Sequence, residues 1–199
     1  MSAPPPGSTW TSRTSKGSSL YGITYGGGTF VAVGYGGTIL TSPDGVSWTA
    51  RTSGTSNWIE GVTYGNNTFV AVGEGGTILT SPDGVNWTRR TSGTSNTLHG
   101  VTYSNGLFVA VGRNGTILTS PDGRSWTART SGTGNWLSSA IYGNGTFVAV
   151  GEGGTILTSP DGVTWTRRTS GTNNWLYGVA YGNNTFVAVG ENGTILTSP

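Results

Sequence analysis

The chain repeats itself every 39 residues, and that period limits its fold more than any other feature. Thr-Ile-Leu-Thr-Ser-Pro begins at Thr38, Thr77, Thr116, Thr155 and Thr194. Phe-Val-Ala-Val-Gly begins at Phe30, Phe69, Phe108, Phe147 and Phe186. Tyr25, Tyr64, Tyr103, Tyr142 and Tyr181 keep the same step, as do Trp48, Trp87, Trp126 and Trp165. Trp10 stands one residue closer to Trp48, because the loop from Arg13 to Ser19 is one residue short. A period near 40 signals an array of identical supersecondary units.

One unit, Asn57 to Arg90, reads as four short strands. Trp58 to Tyr64 reads as a strand, and Gly65-Asn66-Asn67 is turn chemistry that tolerates positive φ. Thr68 to Val72 is a β-branched and aromatic run. Gly73-Glu74-Gly75-Gly76 is a second turn, and Thr77 to Thr80 a third strand. Ser81-Pro82-Asp83-Gly84 is a tight turn leading to a fourth strand, Val85 to Arg90. No segment has helical spacing, and the 36 glycines of 199 residues would break helices.

Four antiparallel strands per period is the arithmetic of a propeller blade. The expected fold is all-β: one five-bladed β-propeller domain over residues 1–199. The chain starts with a fourth-type strand around Trp10 and stops after a third-type strand, Thr194 to Thr197. Pairing the two would remove both edges and close the ring, with residues 1–15 supplying the outer strand of the last blade. A β-solenoid is the structural alternative.

Ser42-Pro43-Asp44-Gly45-Val46-Ser47-Trp48 and its copies resemble the Asp-box of bacterial neuraminidase-type repeats, with one residue fewer between Asp and Gly. Four boxes are complete, at Asp44, Asp83, Asp122 and Asp161, and Pro5-Pro6-Gly7 stands in place of a fifth. The resemblance implies a propeller with the box as the hairpin between third and fourth strands. It does not imply one activity, since members range from sialidases to binding proteins. The expected role of the box is structural, Asp fixing a turn and Trp packing between blades.

Composition argues against most chemistry. There is no Cys and one His, His99, so thiolate chemistry and multi-histidine metal sites are excluded. No cofactor or metal is expected. A net charge of +2 does not make a nucleic-acid surface. No apolar run is long enough to span a membrane, and residues Met1 to Gly7 lack the features of a signal peptide, which leaves the compartment open. A sialidase would need an arginine cluster, a Tyr-Glu pair and an acid Asp at the axis. Arg51, Arg90, Arg129 and Arg168 instead read as solvated charges on outer strands, the four box Asp residues are turn residues, and the remaining Glu residues are ring equivalents rather than an asymmetric pair. The chain is therefore expected not to be an enzyme.

Differences between copies concentrate at two loops. Before the first strand stand Ser19, Trp58, Thr97, Trp136 and Trp175. Two positions later stand Tyr21, Glu60, His99, Ser138 and Tyr177. After the second strand stand Tyr35, Glu74, Arg113, Glu152 and Glu191. In a propeller these loops share one face. Trp58, Trp136 and Trp175 offer flat apolar surfaces to a sugar ring, and Asn57, Asn135, Asn174, Glu74, Glu152 and Glu191 are placed to bond hydroxyls. Weak multivalent glycan recognition by a monomer is the expected function, in an architecture similar to five-bladed lectins of the tachylectin type. The alternative is a recently duplicated or designed symmetric scaffold with no specific ligand.

Overall fold

The computed structural model describes residues 7–13 and 17–199. The first blade has β1 (Leu20–Gly26), β2 (Thr29–Gly34), β3 (Ile39–Ser42) and β4 (Thr49–Arg51). The second has β5 (Ile59–Gly65), β6 (Thr68–Gly73), β7 (Thr77–Ser81) and β8 (Thr88–Arg90). The third has β9 (Leu98–Ser104), β10 (Leu107–Gly112), β11 (Ile117–Ser120) and β12 (Thr127–Arg129). The fourth has β13 (Leu137–Gly143), β14 (Thr146–Gly151), β15 (Ile156–Ser159) and β16 (Thr166–Arg168). The fifth has β17 (Leu176–Gly182), β18 (Thr185–Gly190) and β19 (Ile195–Ser198). Each is an antiparallel meander in chain order, so the all-β, five-bladed arrangement is as expected.

Local chemistry sets each meander. Asn66 and Asn67 both take positive φ, the geometry of a two-residue hairpin whose twist suits the flanking strands. The box turn is closed by its own side chains. Asp83 Oδ1 accepts from the amides of Val85 and Asn86, and Ser81 Oγ accepts from Gly84, which sits at φ 76°. This loop is longer than a tight turn, so the fourth strand starts after Trp87 rather than at Val85.

The core lies between blades. Val31, Val33 and Ile39 of the first blade meet Ile59, Phe69, Ala71 and Leu79 of the second, with Trp87 packed against the cluster. Trp126 and Trp165 occupy the same place in the next two interfaces. Burying such a cluster contributes about 25 cal/mol per Å² of apolar surface removed from water, so these interfaces hold the arc together.

Two expectations gain detail. Arg51, Arg90, Arg129 and Arg168 lie on the outer strands as expected, half-buried in the first three and exposed in the fourth. Each donates through Nε to a threonine of the neighbouring strand, Thr41, Thr80, Thr119 or Thr158, at 2.8 Å. The cross-strand register places arginine beside the threonine two residues along, within reach of its Nε. The second concerns the expected outer strand of the last blade, residues 1–15, of which 1–6 and 14–16 lie outside the described residues. The fifth sheet has three strands, and residues 7–13 form no strand. Trp10 is 92% exposed. The inner strands pack in succession, β1 on β5, β5 on β9, β9 on β13 and β13 on β17, without a comparable β1–β17 contact among the described residues. Pro5, Pro6 and the Thr14–Lys16 part of the short loop lie outside the described residues.

Candidate functional site

All five blades contribute to a shallow cavity of about 440 Å³ lined by Tyr21, Trp58, Glu60, His99, Trp136, Ser138 and Trp175. The tryptophans precede the inner strands, and Tyr21, Glu60, His99 and Ser138 lie on them near the same end. Packing of successive inner strands brings equivalent positions of adjacent repeats side by side. Glu60 and His99 are 39 residues apart, and His99 Nδ1 donates to Glu60 Oε2 at 2.5 Å. A carboxylate partner fixes the proton on Nδ1. His99 Nε2 is buried without a hydrogen-bond partner among the described residues.

The rings form two clusters around one cavity rather than three separate platforms. Trp136 and Trp175 meet edge to face at 5.6 Å. His99 stacks on Trp136 at 5.8 Å, and the Arg113 guanidinium lies 4.2 Å from the Trp136 ring centroid. Trp58 contacts Tyr35 at 5.2 Å and Tyr21 at 6.0 Å and stays 44% exposed. Trp175 continues to Tyr177 at 6.3 Å. Aromatic pairs at such distances hold their rings in fixed orientation.

The six polar candidates are occupied in building the loops. Asn57 Nδ2 donates to the Glu74 carbonyl and to Thr77 Oγ1. Asn135 donates to the Glu152 carbonyl and Thr155 Oγ1, and Asn174 to the Glu191 carbonyl and Thr194 Oγ1. The side chains of Glu74, Glu152 and Glu191 accept from the backbone amides of Trp58, Trp136 and Trp175 at 3.3, 3.0 and 3.1 Å. The two variable loops therefore clamp each other and set the tryptophans in place. Tyr177 Oη donates to the remaining oxygen of Glu191. Lost hydration, with this bond and the Glu191 charge, holds its phenol above the ordinary tyrosine value.

Tyr21, Glu60, His99 and Ser138 were not among the sequence-derived site residues. Their signal was present in the variation between copies, two residues after the tryptophan position. Away from the mouth, the box aspartates carry the other resolved shifts. Asp44, Asp83, Asp122 and Asp161 are held below the ordinary carboxylate value, chiefly by backbone amides of Ser47, Asn86, Ser125 and Thr164 respectively. Among the described residues no cluster of acidic and histidine side chains is suited to a metal ion, and no helix is long and apolar enough to cross a membrane.

No family model and no curated protein matches the chain. Solved structures do. The chain is similar to YCF48 bound to D1 peptide, with TM-score 0.72 and 19% identity over 92% of this chain and 65% of that one. YCF48 from Cyanidioschyzon merolae gives 0.70 and 19%, over 89% and 66%. The WD40 beta propeller domain of Doa1 gives 0.71 and 13%, over 93% and 66%. The fold is that of a β-propeller. The computationally designed Ika8 protein is also similar, at 0.72 and 14% over 89% of this chain and 57% of that one. The chain thus spans about two thirds of the YCF48 chains it matches, and at these identities the likeness is one of fold.

Proposed function

We propose that this chain is a non-catalytic binding module that takes a saccharide against the aromatic wall of its mouth. The observation that carries this reading is the convergence of Trp58, Trp136 and Trp175 on one open cavity, at the positions where the repeats differ. A flat indole matches the C–H face of a sugar ring, and Glu60 and Ser138 supply polar groups for its hydroxyls, with His99 holding Glu60 in place. Because the Asn and Glu side chains are spent on the loops, one composite site replaces three equivalent ones. The box hairpins, between third and fourth strands and closed by Asp, are read as shortened Asp-boxes serving the frame. Among the described residues that line the cavity there is one carboxylate, Glu60, joined to His99, and not the pair that a glycosidase uses.

A second reading is an extended peptide on the same wall. It is favoured by the similarity to a YCF48 structure that holds a D1 peptide. A glycan array probed beside a peptide array separates the two. Saccharide hits lost in a Trp58/Trp136/Trp175→Ala variant support the first reading. Hits confined to peptides replace it with the second. A blank result on both leaves a scaffold, and release of fluorophore from a fluorogenic sialoside would overturn the non-catalytic reading.

A further inference from the structure

Two places in the mouth share the same three repeat positions and fill them differently. Moving two repeats along carries Tyr21, Tyr35 and Trp58 onto His99, Arg113 and Trp136. In the later set the chain supplies its own cation. The Arg113 guanidinium lies 4.2 Å from the centroid of the Trp136 ring, and His99 stacks on that ring at 5.8 Å. In the earlier set both neighbours of the indole are tyrosines, Tyr35 at 5.2 Å and Tyr21 at 6.0 Å. Among the described residues no cation lies over Trp58.

The earlier set is open and negatively charged. Tyr21 is 46% and Tyr35 50% exposed, and their rings tilt against Trp58 by 39° and 47° instead of stacking flat. Tyr21 and Trp58 line the cavity beside Glu60, and no Lys or Arg is among its lining residues. Glu60 gives Oε2 to His99, while its Oε1 has no hydrogen-bond partner among the described residues. A second carboxylate, Glu74, sits at the Trp58 amide. Ring faces carry the negative end of the aromatic quadrupole, so rings and carboxylates together attract a cation. The rings offer that cation no hydrogen-bond acceptor. A primary ammonium brings three donors and would lose their hydration against them. Methyl groups remove the donors and lie on the rings as apolar surface.

We infer that Tyr21, Tyr35 and Trp58 form a site for a methylated ammonium cation, the group carried by choline and by trimethyllysine, with the Glu60 carboxylate as its counter-charge. The bound cation does at Trp58 what the Arg113 guanidinium does at Trp136. Where the chain has the guanidinium the tyrosines are absent, and where it has the tyrosines the guanidinium is absent. The occupant differs in class from the saccharide. The site shares Trp58 and Glu60 with the saccharide reading but does not rest on it.

The test is calorimetric titration of the full-length chain with choline chloride, total salt held constant. Choline should bind with a Kd on the order of 1 mM or tighter, and its uncharged tert-butyl isostere about tenfold more weakly or not at all. Tyr35→Arg supplies a cation from the chain, as the third blade does. It should abolish choline binding and leave the melting temperature near that of wild type, since the fold already accommodates that residue two repeats along. Glu60→Gln should weaken choline about fivefold and leave the isostere unaffected. Binding of choline alone marks a small free cation, binding of a trimethyllysine peptide a methylated side chain, and either supports the site. Equal affinity for choline and the isostere, no binding of either cation by the folded wild type, or choline binding that survives Tyr35→Arg would each overturn the inference. Saccharide hits on the glycan array with no cation binding would remove this site alone. Cation binding beside a blank array would remove the saccharide reading alone.

Discussion

Two sets of tryptophans recur in this chain, and they serve different ends. Trp87, Trp126 and Trp165 donate from Nε1 to the carbonyl of the box glycine at 2.9 Å and pack between blades. Their surroundings barely vary from copy to copy. Trp58, Trp136 and Trp175 face one open cavity, and the side chains around them change from blade to blade. The same residue type thus builds a frame where its neighbours are constant and a receptive surface where they are not. What separates the two is that each frame indole donates from its nitrogen within its own repeat and packs into an interface between blades.

The sharpest way to break this distinction is to truncate one member of the frame. Trp126→Ala should cost about 3 kcal/mol through lost burial and the cavity left behind, read as a drop in the denaturant midpoint. Next is the nested glycine. Gly65→Ala drives a Cβ into the Tyr103 ring and should destabilise by about 1–3 kcal/mol in the same measurement.

A smaller effect is expected at the strand latches. Thr80→Val keeps the shape and removes the acceptor of Arg90 Nε, for a loss of about 1 kcal/mol by thermal melting. The box carboxylates give a pH signature in place of a single-site loss. Because their pKa values are lowered on folding, the stability they contribute is present above the ordinary aspartate pKa of 3.8 and is lost as pH falls below it. Melting temperature should therefore be flat from neutrality to about pH 5 and fall below about pH 4, with a shallower fall in Asp122→Asn. At the bottom of the scale, Trp175→Ala at the mouth should shift stability by about 1 kcal/mol or less, the worth of its ring contacts with Trp136 and Tyr177.

Most of the frame was readable in advance because repetition turns one local pattern into five concordant ones. Phe69, Val70 and Val72 announce a buried strand, and Asn66-Asn67 its hairpin. What escaped reading was of another kind. The arginine latches escaped because the bond from a guanidinium to the hydroxyl of a threonine two residues along crosses between strands, which no local pattern shows. At the mouth, the tryptophans were legible as variable aromatic positions. The duties of Asn57 and Glu74 were not, since their partners, the Glu74 carbonyl and the Trp58 amide, belong to loops brought together only by the sheet.

The division of labour between the two tryptophan sets is tested most directly by measuring saccharide binding and melting temperature together on the Trp58/Trp136/Trp175→Ala variant. The account predicts binding abolished and melting lowered by no more than about 10 °C, what a total loss of about 3 kcal/mol produces in a domain of this size. Binding retained at wild-type strength, with the fold intact, would contradict it.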